Sequence, residues 1–180
     1  METRSDKPLI VPFTVVVDTR EQSPFGFTGH RADAHKQYRP LVVPVVMAGL
    51  RTGDYSLQGF ENRIAVERKS LSDAYSTFSQ ERDRFERELE RLNQLEFAGV
   101  VIEAGWPSIL HRPPPHTKFS RKSFFRSVVA WQVRFPRVHW WACETRSFAE
   151  TVTLRWLERF WLDDMERMGR VRDASAGGMA

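Results

Sequence analysis

Short runs of β-branched and other apolar residues punctuate this chain: Thr14 to Val17, Leu41 to Val46, Ile64 to Lys69, Gly99 to Glu103 and Val138 to Cys143. Runs of this length read as strands, and the later ones alternate with segments of helical period. Leu71 to Leu95 places Phe78, Phe85, Leu89 and Leu92 near one stripe, and Ser120 to Phe135 and Ser147 to Met168 follow the same rule. Ser70 and Asp73 have the spacing of a capping box at the start of the first helix. The order strand, hairpin, helix, strand, helix, strand, helix predicts an α/β sandwich with a central mixed β-sheet flanked by helices. Residues 1–13, with Pro8 and Pro12, read as a flexible lead-in, 14–168 as a single domain, and 169–180 as a disordered tail. Pro113, Pro114 and Pro115 force a loop before the second helix.

Composition narrows the classes of function. The chain has 180 residues, 41% hydrophobic and 28% charged, enough for one core. Lys+Arg 27 against Asp+Glu 23 leaves a formal charge of +4, and only Lys7, Lys36, Lys69, Lys118 and Lys122 are lysines. Arginine dominates, and its planar fork suits phosphate. Cys143 is the single cysteine, which excludes an internal disulfide and a cysteine-based zinc site. Neither a secretory leader nor a membrane span is readable, so the expectation is a soluble protein, cytoplasmic or otherwise intracellular. His30, His35, His111 and His116 lack a third ligand of suitable spacing and read as loop histidines.

Chemistry gathers around the strand Ile64 to Lys69. Alternation sets Ala65, Glu67 and Lys69 on one face and Ile64, Val66 and Arg68 on the other. Asp54 lies on the partner strand of the same hairpin, placed to meet Glu67. Two carboxylates at one spot make a hard-oxygen site for Mg²⁺ or Mn²⁺, with a lysine beside it to orient a water or balance developing charge. Asp18 and Glu21, at the end of the first strand, are candidates to complete the shell. The competing reading is a solvated strand end.

Gly53-Asp54-Tyr55 followed by Val66-Glu67-Arg68-Lys69-Ser70-x-x-Asp73 resembles the GD…VERKxxxD signature of the XPF-type nuclease family, which includes the archaeal Hef nuclease and the eukaryotic flap and junction endonucleases. Val17-Asp18-Thr19-Arg20-Glu21 is similar to that family's strand ending in D-x-R-E, and the segment from Ser76 through Leu89 resembles its next helix. The resemblance implies a restriction-endonuclease-like three-layer sandwich and a metal-dependent DNA endonuclease of repair or recombination. It assigns catalytic roles to Asp54, Glu67 and Lys69, with Asp18, Glu21, Arg20 and Arg68 around them. Metal binding would fall to Asp54, Glu67 and Asp18, with Asp73 either a ligand or a helix cap. No glycine lies between Gly105 and Gly169, so neither the tandem helix-hairpin-helix domain of many family members nor a P-loop with its nucleotide cofactor is expected. That minimal layout suggests a bacterial or phage-encoded protein.

Phosphate contacts are expected from Arg84, Arg87 and Arg91 on one helix face, and from Lys118, Arg121, Lys122 and Arg126 around the proline loop, where no acid lies between Glu103 and Glu144. Leu154, Leu157, Phe160 and Trp161 form an apolar stripe on the last helix that suits a core or, as the resembled nucleases pair, a homodimer or heterodimer through the C-terminal helices. A flap, fork, nick or junction is the expected substrate. The alternative is a catalytically inactive DNA-binding or dimerisation module of a repair or recombination complex.

Overall fold

In the computed structural model, which describes residues 7–32, 39–115 and 117–177, with side chains as far as Gly169, the strands are β1 (Leu9–Ile10), β2 (Val15–Asp18), β3 (Leu41–Val42), β4 (Val45–Ala48), β5 (Tyr55–Leu57), β6 (Ile64–Lys69), β7 (Phe97–Ile102) and β8 (Val138–Ala142). The helices are α1 (Leu71–Ser79), α2 (Arg82–Leu92), α3 (Trp106–His111), α4 (Arg121–Arg134) and α5 (Arg146–Gly177). A six-stranded sheet runs β4-β2-β5-β6-β7-β8. Its β2–β5 and β5–β6 pairs are antiparallel, whereas β2–β4, β6–β7 and β7–β8 are parallel, so the sheet is mixed as expected.

Side-chain alternation divides the core into two layers. On one face Val15, Val17, Tyr55, Ile64, Val66 and Val101 pack with Val152, Leu154 and Leu157 of α5. On the other, Ala65, Ala98, Val100 and Ile102 lie under Phe78, Phe85, Leu89, Ile109, Phe124 and Trp131 of α1 to α4. This is the three-layer sandwich, and the α5 stripe through Leu154 and Leu157 belongs to its core rather than to a free interface.

Several boundaries differ from the sequence reading. The lead-in is not loose from Leu9 onward: β1 pairs with β3, and Val11 and Phe13 are buried. Pro8 and Pro12 masked an apolar alternation that the core uses. Leu41 to Val46 splits at Pro44, which has no N–H to donate and whose carbonyl accepts from Val15 N at 2.9 Å. Leu71 to Leu95 breaks between α1 and α2. Ser76, Thr77 and Ser79 are weak helix formers, the Ser79 hydroxyl donates back to the Tyr75 carbonyl at 2.8 Å, and the bend lets Phe78 and Phe85 stack 5.5 Å apart. The proline loop is preceded by α3, unforeseen in the sequence. Helix α5 runs past Met168 to Gly177, through residues assigned to the tail, and 178–180 lie outside the described residues. His30 meets Glu150 at 2.9 Å, while His35 and His116 lie outside the described residues.

Candidate active site

Strand β6 ends in alternating charges, and the pleat sends them to opposite sides. Glu67, buried, takes Lys69 Nζ at 2.7 Å on its Oε1, and the ammonium lies over the Phe85 ring, 5.2 Å from its centroid. Arg68, on the other side, is clamped by Glu103 at 2.7 Å and Glu21 at 3.2 Å. Arg146 reinforces the clamp from α5, donating to Glu103 at 2.7 Å and to the carbonyls of Ser23 and Pro24. Burial by itself would lower the Arg68 pKa; the two carboxylates outweigh it and hold the guanidinium charged.

Asp54 enters from the turn before β5. Its N–H donates to the Val66 carbonyl at 2.9 Å, and its Oδ2 accepts from the Arg68 N–H at 2.7 Å. The hairpin therefore delivers Asp54 to the same strand end as Glu67. Burial, and then the Glu67 charge, push the Asp54 carboxyl up to about 8. Burial likewise raises Glu67, opposed by Lys69. Burial would lower Lys69, yet Glu67 and Asp54 keep the ammonium above its ordinary value.

These groups line an open cleft of about 610 Å³ that also takes in Arg20, Glu21, Asp73, Arg84 and Glu88. Asp18 is not among its walls. Only 1% exposed, it accepts Arg20 Nε at 2.7 Å and Nη2 at 2.9 Å, and the N–H groups of Arg20 and Leu50 at 2.7 Å each. The Arg20 hydrogen bonds hold its carboxyl below the usual range, against burial. Asp18 thus shapes the loop that presents Arg20 and Glu21, and its oxygens are committed there. Asp73, at the cleft edge, is the capping-box partner of the N-cap Ser70: its N–H donates to Ser70 Oγ at 3.1 Å, and Ser70 Oγ donates to its Oδ2 at 2.6 Å.

The donor set at the cleft is all oxygen. Among the described residues no three His, Cys, Asp or Glu side chains gather closely enough to cage an ion. Asp54 and Glu67 still fit Mg²⁺ or Mn²⁺, which one or two carboxylates hold together with waters and substrate phosphate.

The basic residues divide into two kinds. Arg84 pairs with Glu81 at 2.6 Å and Arg91 with Glu88, whereas Arg87 is exposed without an ion pair among the described residues. Lys118, Arg121, Lys122 and Arg126 are exposed and likewise free of acidic partners. Because β6, β7 and β8 are parallel and α4 leads into β8, the start of α4 lies at the sheet end where β6 delivers Lys69. The Tyr75 hydroxyl of α1 donates to the Ile109 carbonyl at 2.6 Å and ties the two regions together. Sequence reasoning missed Glu88, Glu103 and Arg146. Each has a partner at least 35 residues away.

Fold and site together define a restriction-nuclease-like α/β domain with an acidic cleft at one end of its mixed sheet. The ERCC4 domain family matches residues 17–156, and the chain belongs to that family. Among solved structures it is similar to XPF from Aeropyrum pernix, with a TM-score of 0.57 and 20% identity over 81% of this chain and 60% of that one. It is also similar to XPF from Aeropyrum pernix in complex with DNA, with a TM-score of 0.56 and 22% identity over 84% of this chain and 66% of that one. At these identities the likeness is one of fold, and the chain spans about two thirds or less of those proteins. No curated protein matches the sequence.

Proposed function

We propose that the chain is a metal-dependent DNA endonuclease selective for flap, fork, nick or junction DNA. The observation that carries this reading is the meeting of Asp54, from the turn before β5, with Glu67 and Lys69 of β6 on one wall of the cleft. Mg²⁺ or Mn²⁺ held by Asp54 and Glu67 would polarise a phosphoryl oxygen and acidify a water. Lys69, kept as an ammonium by Glu67, orients the attacking water and balances charge gathering on the non-bridging oxygens. The water oxygen bonds to phosphorus, releasing its proton to solvent, as the bond to the leaving sugar oxygen breaks and that oxygen takes a proton from solvent. Arg68 stays out of the chemistry and braces the strand end through Glu21 and Glu103.

Lys118, Arg121, Lys122 and Arg126 would take the phosphates of an arm of DNA leading from the cleft. Branched or nicked DNA bends into a recessed site at lower cost than stiff duplex, which favours structure over sequence as the basis of selection. Pairing of two copies would use α4, where Phe125, Val129 and Val133 are exposed on one stripe. The setting is DNA repair or recombination.

Cleavage of an end-labelled 3′-flap DNA in Mg²⁺ or Mn²⁺, beside EDTA and Glu67→Ala controls, tests the reading. Cutting that depends on metal and on Glu67 is expected. DNA bound but never cut in either metal would replace it with a DNA-binding or dimerisation module.

A further inference from the structure

Glu88 looks, in sequence, like an ordinary surface carboxylate of α2, one helical turn from Arg91. The structure gives it other partners. Its Oε1 accepts the Thr52 hydroxyl and, at 3.1 Å, the Gly53 N–H, both from the turn that precedes Asp54, while its Oε2 meets Arg91. That turn has little freedom. Gly53 adopts φ +76°, where side chains are strained, and a Cβ there would come within 2.9 Å of Ala65 Cβ and 3.3 Å of the Val66 carbonyl. The turn is thus pressed against β6 on one side and hooked to α2 on the other. Without Glu88 the Gly53 N–H loses its acceptor in a buried position. Helix α2 is a firm anchor, since Phe85, Leu89 and Leu92 are all core residues.

We propose that Glu88 is a positioning residue, which holds the Thr52–Gly53 turn against α2 so that Asp54 is aimed at the strand end shared with Glu67. The proposal rests on the reading of Asp54 as a metal-holding carboxylate. Both Glu88 oxygens are already engaged by donors, which fits an anchor better than a ligand. What Glu88 contributes is acceptor geometry, so an amide with one suitable oxygen can replace it.

The test compares Glu88→Ala, Glu88→Gln and Thr52→Val with Glu86→Ala, a control on the same helix whose carboxylate serves Trp131 and Arg134 instead. Amide hydrogen exchange is read at Gly53 and at Arg68, whose N–H reports Asp54 directly. Mn²⁺ affinity is read by electron paramagnetic resonance, and cleavage separately. Glu88→Ala is expected to speed exchange at both amides and to weaken Mn²⁺ binding by about tenfold to a hundredfold, the range for a lost outer-shell partner. Thr52→Val moves the same way to a smaller extent. Glu88→Gln stays within about threefold of the parent because it keeps the acceptor, and Glu86→Ala changes neither reading even if it lowers Tm. Unchanged exchange at both amides in folded Glu88→Ala overturns the proposal. So does Glu88→Gln binding Mn²⁺ as poorly as Glu88→Ala while its amides stay protected, since charge would then be what matters. If the parent protein binds no Mn²⁺, the nuclease reading fails, and exchange at Arg68 still decides whether Glu88 positions Asp54.

Discussion

Asp54→Asn is expected to make the metal-free protein more stable while abolishing cleavage. In the unfolded chain Asp54 titrates at its ordinary 3.8, and in the folded protein at about 8. Between those values the folded state holds a proton that the unfolded state has released, so stability falls as pH rises, by 1.36 kcal/mol per unit. At pH 7 a shift of this size corresponds to about 4 kcal/mol, and solvent screening at the open cleft mouth discounts that to about 2 kcal/mol. Asparagine has the same shape, carries no charge, and offers an oxygen to the Arg68 N–H. At about 2 to 4 °C per kcal/mol for a chain of this size, Tm should rise by about 4 to 8 °C. The assay is urea unfolding followed by tryptophan fluorescence in EDTA at pH 5 and pH 7. At pH 5 the advantage should shrink to about a third, because only about one pH unit then separates the solution from the unfolded pKa. An Asp54→Asn protein no more stable than the parent at pH 7, or one whose advantage does not change with pH, refutes the reasoning.

Arg68→Met leaves half-buried Glu21 without its ion pair and half-buried Glu103 with Arg146 alone, and should cost about 3 kcal/mol, visible as a Tm lower by roughly 6 to 12 °C. Replacing Arg121, Lys122 and Arg126 with alanine should reduce the slope of log affinity against log salt for duplex DNA by about 3, nearly one per lost phosphate contact. An unchanged slope would remove them from the DNA path. Gly99→Ala drives a Cβ into the Trp156 ring and should destabilise by about 1 to 3 kcal/mol with a changed near-UV signal. Gly49→Ala, with open space around it, should stay within about 0.5 kcal/mol of the parent in the same urea titration.

Legibility followed the range of the interaction. Strand alternation, a local rule, placed Glu67 with Lys69 and turned Arg68 away, and the capping box at Ser70 and Asp73 is as local. The hairpin needs only a short crossing, and Asp54 reached β6 as the spacing suggested. Glu88 and Glu103 carry no such signal. At helical spacing Glu88 is indistinguishable from Glu81 or Glu90, and only packing of α2 against the Thr52–Gly53 turn separates them. Asp18 illustrates the converse. Its position suggested a ligand, but Arg20, two residues on, folds back and takes both oxygens. The apolar period of α5 was plain, yet period alone does not say whether Leu154 and Leu157 face a sheet or a second chain.

The pleat of β6 also sets the charge of the cleft. Three consecutive charged residues at a strand end would crowd if they shared a face; alternation moves Arg68 away, to be balanced by Glu21 and Glu103. Glu88 is balanced by Arg91. That leaves Lys69 alone against Asp54 and Glu67, an excess of one negative charge in a buried setting. The metal-free protein relieves the excess by keeping a proton on Asp54, whose carboxyl is raised first by burial and then by the Glu67 charge. Under the nuclease reading the same excess is what a divalent cation would answer, and the proton stands in its place. The gain in stability expected of Asp54→Asn and its loss of cleavage thus have one cause, since the amide fixes permanently the neutral state that the carboxyl must leave in order to work.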